Sequence, residues 1–93
     1  MRRWTRVVGD GIAFSGGCLL HILIFEAGDS ERYVEIYDGR DSGSGKLLSR
    51  HKMNFEATHC DSFPGGIPMD RGIYINAESS EEKTTVIFEP LPE

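Results

Sequence analysis

The sequence predicts an all-β fold: a single small antiparallel β-sandwich, jelly-roll-like, of about seven to eight short strands. Three observations carry that expectation. Eleven glycines recur so closely that no helix of about ten residues fits before about position 46. The segments between them are rich in β-branched and aromatic residues and several alternate apolar with polar, the period of a strand. A chain of 93 residues can bury one core and little more, so residues 1–93 are expected to form one domain without a deep cleft.

Taken in order, the segments read as follows. Residues 1–6, with Arg2, Arg3, Trp4 and Arg6, precede the first strong strand signal and are expected to form an N-terminal arm. Weak strand patterns follow at 6–8 and 12–14. Residues 18–25 are apolar on both alternating faces, which suits a central strand covered on both sides. Residues 33–37 alternate cleanly, with Val34 and Ile36 inward and Tyr33, Glu35 and Tyr37 outward. Between 46 and 57 weak strand patterns at 47–49 and 55–58 compete with a helix, but 49–52 offers no apolar repeat to bury on one face. Pro64, Gly65, Gly66 and Pro68 mark a long surface loop between Cys60 and Arg71. Residues 73–76 and 84–88 are strands, and 90–93 is a tail that cannot extend a central strand because Pro90 and Pro92 lack the N–H donor. The expected core is Leu20, Ile22, Ile24, Val34, Ile36, Ile73, Ile75, Val86 and Phe88.

Charge and hydropathy narrow the partners. The formal net charge is −5 and no basic stretch is long enough to follow a phosphate backbone, so nucleic acid is not an expected partner. The longest apolar run, 18–25, is interrupted by His21 and falls far short of the roughly 20 residues that span a bilayer, so no membrane helix is expected. The basic start is followed by no apolar signal-peptide stretch, which points to synthesis in the cytoplasm. Two cysteines, Cys18 and Cys60, make a poor disulfide framework and are expected to be reduced.

The reactive residue types form no expected catalytic, metal or cofactor site. Gly39 through Lys46 invites a phosphate-loop reading, yet five residues separate Gly39 from Gly45 where that motif needs four, and Leu47 stands where a magnesium-binding hydroxyl belongs. Cys18, His21, His51, His59, Cys60 and Asp61 are zinc-ligand types. On extended strands Cys18 and His21 point to opposite faces, as do His59 and Cys60, so four of them are not expected to converge. A Cys–His nucleophile lacks a third orienting group at informative spacing. Glu26, Asp29, Glu31, Glu35, Asp38 and Asp41 are explained by solvated strand faces and turns without a calcium ion.

Two family likenesses attach to particular residues. Residues 33–39 (YVEIYDG) with 47–50 (LLSR) resemble the core of extracellular CUB modules, disulfide-bonded β-sandwiches with a calcium site. Arg32 stands where that family places a calcium-binding aspartate, and no cysteine follows Arg50 closely, so the likeness is read as convergent. Residues 18–24 (CLLHILI), 34–39 (VEIYDG), 45–48 (GKLL), 63–66 (FPGG), 72–75 (GIYI) and 85–90 (TVIFEP) together resemble small leaderless β-sandwich proteins of tailed-phage and prophage virions. That resemblance implies a non-enzymatic structural role in the virion, as capsid decoration or as a head or tail accessory. The implied partners are the major capsid protein or another virion protein, together with further copies of the chain. The interface residues expected are Arg2, Arg3, Trp4 and Arg6 of the arm and the outward Tyr33, Tyr37 and Tyr74, because Trp, Tyr and Arg dominate interface energetics. Residues 1–6 carry three arginines and no acid, whereas 78–93 carry five glutamates against one lysine, an asymmetry that favours contacts between subunits. The alternative reading is a ligand- or carbohydrate-binding β-sandwich module.

Overall fold

The computed structural model describes residues 2–26, 32–43, 45–53, 58–77 and 82–91. Eight strands run through them: β1 (Arg3–Val8), β2 (Gly11–Ser15), β3 (Cys18–Glu26), β4 (Arg32–Asp38), β5 (Lys46–Met53), β6 (Thr58–Met69), β7 (Gly72–Ala77) and β8 (Lys83–Pro90). They form two four-stranded sheets of order β1-β8-β3-β6 and β2-β7-β4-β5. Every pairing is antiparallel. Successive strands alternate between the two sheets except at the β4–β5 hairpin, which is the jelly-roll arrangement, so the expected fold class holds.

The inner faces supply one core. Val7, Leu20, Leu23, Phe25, Met69, Val86 and Phe88 of the first sheet face Ala13, Val34, Ile36, Ile73 and Ile75 of the second. Phe14 of β2 meets Phe88 of β8 with ring centroids 4.8 Å apart, which ties the sheets together at one side.

Two expected core residues are displaced. Ile22 and Ile24 are half-buried on the outer face, and Leu23 and Phe25 are buried instead. The cause is a β-bulge at His21: Leu20 opposes Phe88 and Ile22 opposes Ile87, so two steps along β3 match one along β8. Past that point every side chain of β3 points to the face opposite to the one strict alternation assigns.

Three other expectations need correction. Arg3, Trp4 and Arg6 belong to no arm but to β1, where Arg3 to Val8 pair residue by residue with Phe88 to Lys83. The expected loop between Cys60 and Arg71 is mostly strand, because β6 runs on to Met69. It is an edge strand, paired only with β3, so its prolines lose no ladder on the open side. Ser62 opposes Ile22 and Ile67 opposes Leu20, and the residues between them, Phe63 to Gly66, are accommodated as a wide irregularity facing His21. The segment from Lys46 to Met53 is strand, as the absence of an apolar helical repeat in 49–52 predicted. Pro90 is the last residue of β8, opposite Cys18, and the next residue, Leu91, still donates its N–H to the Gly17 carbonyl at 3.0 Å. Part of the expected 55–58 strand, together with Asp29, Glu31 and the acidic residues at 78 and 81, lies outside the described residues.

Both cysteines are free. Cys18 is fully buried, and that burial, helped by the Asp38 charge, pushes its thiol up to about 11 from 9.0. Cys60 is exposed, next to Ile24 on the outer face. At about pH 8 the native protein is therefore expected to consume one equivalent of a thiol reagent, at Cys60, and two after denaturation. Two fast-reacting thiols in the native protein, or none after denaturation, would contradict this arrangement.

Candidate functional site

The expected interface residues fall on opposite outer faces. Trp4, 70% exposed, and Arg6 lie on the outer face of the first sheet, with Arg2 and Arg3 exposed nearby. Trp4 opposes Ile87, which opposes Ile22, forming an apolar row across three strands. Arg6 pairs with Glu26 through its Nη2 at 3.0 Å, an exposed ion pair that contributes little to stability.

Tyr33, Tyr37 and Tyr74 share the outer face of the second sheet. Tyr37 of β4 opposes Tyr74 of β7, with ring centroids 6.4 Å apart. Continuing the same line, Tyr74 opposes Ile12 on one edge strand and Tyr37 opposes Leu47 on the other. Ile12 and Leu47 are each 49% exposed, so the row Ile12–Tyr74–Tyr37–Leu47 crosses all four strands, about 14 Å from end to end.

A polar row lies beside it. Glu35 accepts from the Asn76 amide at 2.8 Å and from the Tyr37 hydroxyl at 3.2 Å. Arg50 lies with its guanidinium carbon 3.9 Å from the centre of the Tyr33 ring, in cation–π contact. Burial, then the Glu35 charge and its hydrogen bond, hold the Tyr37 hydroxyl above its ordinary pKa, while Arg50 pulls the other way. Tyr74 is raised in the same direction by burial and by Asp10 and Asp41. Both phenols therefore remain protonated donors across the physiological range.

A second constellation sits where the two sheets part. β5 and β6 are edge strands of different sheets, and their inward positions carry polar residues where core residues would be expected. His51 opposes Val34 and Ser49 opposes Ile36; His59 opposes Phe25 and Asp61 opposes Leu23. All four partners are buried, which fixes Ser49, His51, His59 and Asp61 as inward-facing. His51 Nδ1 lies 3.3 Å from Asp61 Oδ2, and His59 Nε2 lies 3.0 Å from Asp61 Oδ1. Ser49 Oγ shares a 2.8 Å hydrogen bond with His51 Nε2. The Phe25 ring backs both imidazoles, 4.5 Å from that of His51 and 6.2 Å from that of His59. Burial lowers the His51 pKa and His59 adds to the effect, with Asp61 opposing it, so His51 is neutral near pH 7.

Asp38 and the glycines of the β4–β5 connection make structural contacts. Asp38 accepts the backbone N–H groups of Asp70 at 3.0 Å and Arg71 at 2.8 Å, fastening the β6–β7 turn to the end of β4. Gly39 and Gly45 pack closely against each other in the β4–β5 connection. Cys18 lies within the core and Cys60 points outward, so neither cysteine joins the histidine cluster. His21 is buried at the bulge, 3.3 Å from Glu89.

The tyrosines were readable from period-two alternation, whereas their companions Ile12, Leu47, Asn76 and Arg50 depend on sheet order and register. The histidine cluster had a partial signal, since Ser49/His51 and His59/Asp61 are each two apart and so share a strand face. The fold and surfaces together define a small jelly-roll domain with one aromatic outer face and one polar seam. No family model matches the chain, and neither a curated protein nor a solved structure does.

Proposed function

We propose that the protein is a non-enzymatic virion component, a capsid decoration or head or tail accessory, that attaches to a major capsid or other virion protein through the outer face of its second sheet. The supporting observation is the outward-facing row Ile12–Tyr74–Tyr37–Leu47, an apolar and aromatic band with exposed ends, flanked by hydrogen-bonding groups. Interface cores favour this composition: rigid aromatic area with few charges, and polar groups at the rim. The jelly roll recurs in capsid proteins, but it recurs in lectins too, so the surface rather than the fold carries the reading. Further copies of the chain are natural second partners, with assembly in the host cytoplasm and residence in the virion.

The test is to purify particles of the phage or prophage that encodes the chain and to measure whether it sediments with them. Tyr37→Ser/Tyr74→Ser should lose at least about 2 kcal/mol of attachment, roughly a 30-fold weaker association, while still unfolding cooperatively above the assay temperature. Normal attachment of that variant would rule out this face.

The alternative, a carbohydrate-binding module, draws on the same surface, because Tyr33, Arg50, Glu35 and Asn76 place stacking rings beside a donor–acceptor row. Glycan-array binding that is lost in the double variant, with no particle association, would select it.

A further inference from the structure

We infer that His51, His59 and Asp61 form a binding site for a divalent transition-metal ion of the zinc class, on the seam between β5 and β6. This inference is independent of the proposed attachment face, which lies on other residues. One donor atom from each of the three residues lies within 4.8 Å of the other two. Zinc bonds of about 2.0–2.1 Å in tetrahedral geometry place ligand atoms about 3.3 Å apart. Asp61 stands near that spacing from each imidazole, Oδ2 at 3.3 Å from His51 Nδ1 and Oδ1 at 3.0 Å from His59 Nε2. Small side-chain rotations that turn the Asp61 oxygens from the imidazoles toward a shared ion complete the set.

The surroundings favour a ligand role over a simple polar edge. His51 offers Nδ1 toward Asp61 while its Nε2 is engaged by Ser49 Oγ at 2.8 Å, the outer hydrogen bond that commonly fixes the ring of a metal-bound histidine. Phe25 behind the rings limits their rotation and keeps that side dry. The His59 side chain is 56% exposed and that of His51 only 17%, so the site opens toward solvent on one side. Two neutral imidazoles and one carboxylate leave a bound dication with one net positive charge and room for a water or anionic ligand, the pattern of an open three-ligand site. Imidazole and carboxylate without thiolate suit Zn²⁺, Co²⁺ or Ni²⁺ better than Cu⁺ or a cluster.

The experiment is calorimetric titration of the full chain with ZnSO₄ after dialysis against chelator. One ion per chain is expected in the wild type. His59→Ala and Asp61→Asn should each weaken binding at least tenfold. Ser49→Ala should weaken it about tenfold through loss of ring orientation. Cys60→Ser should leave it unchanged. Zinc at a hundred times its Kd should raise the wild-type melting temperature by roughly 10 to 20 °C and that of His59→Ala much less. His59 is exposed, so its variant is expected to fold, and the melting curve verifies that. Absence of stoichiometric binding by the wild type, wild-type affinity in His59→Ala and Asp61→Asn, or loss of binding in Cys60→Ser would overturn the site and leave the histidines as polar blunting of two edge strands.

Discussion

Truncating Leu23 to alanine is expected to cost about 2 to 5 kcal/mol, whereas Ile24→Ala, one residue further along β3, is expected to cost no more than about 1.5 kcal/mol. Leu23 is fully buried between the sheets, opposite Val86 on β8 and Asp61 on β6. Removing most of its side chain forfeits transfer energy and opens a cavity that close-packed neighbours fill only in part. Ile24 faces outward, beside Thr85 and Cys60, and already keeps part of its surface in water. A 93-residue domain has a total stability of roughly 5 to 14 kcal/mol, so the Leu23 substitution alone removes a large share. Paired urea unfolding curves at constant slope give both values. Equal losses at the two positions, or a larger loss at Ile24, would mean that strict alternation continues through His21 and that the bulge is absent.

That pair of residues also shows where sequence reasoning stopped. Strands with one wet face, such as 33–37 and 73–76, declare their orientation because polar and apolar residues alternate. The run 18–25 does not, since nearly every residue is apolar and either phase is acceptable; only the pairing with β8 reveals that two residues oppose one at His21. β6 was obscured for a different reason. Pro64, Gly65, Gly66 and Pro68 are incompatible with a central strand, and nothing local shows that this strand lies at an edge. β1 was concealed by Arg3 and Arg6, which look like a solvated arm until β8 pairs with them. Tyr33, Tyr37 and Tyr74 were legible as outward-facing, because orientation within a strand is local. That all three share one sheet, while Trp4 and Arg6 occupy the other, follows from sheet order, which is not local. The histidine seam is the extreme case. His51 and His59 meet because β5 and β6 end two different sheets on the same side of the sandwich, a juxtaposition written in topology rather than in spacing.

Gly72→Ala is expected to cost more than about 3 kcal/mol and to leave little folded protein at 37 °C. Gly72 is buried at the start of β7, with φ at +140°, a conformation that L side chains rarely adopt. Space is the more severe restriction. An added Cβ would stand 2.3 Å from the Phe14 carbonyl oxygen, 3.2 Å from Ser15 Cα and 3.3 Å from Gly16 N. All three are backbone atoms, so no side chain can swing aside and β2 itself must retreat from β7. That retreat disturbs the Gly16 N–H bond to the Arg71 carbonyl and draws Phe14 away from Phe88, the contact that joins the sheets on this side. It also shifts Ile12, one end of the outward-facing row on the second sheet. Gly65→Ala separates the two causes, because Gly65 has φ at +82° but nothing within 4 Å of its added Cβ. The conformational penalty alone is about 1 to 2 kcal/mol, and the Gly65 variant should lose that and no more. Chemical denaturation of both variants decides the matter: a Gly72→Ala loss no larger than that of Gly65→Ala would show that β2 and β7 do not approach as closely as this packing requires.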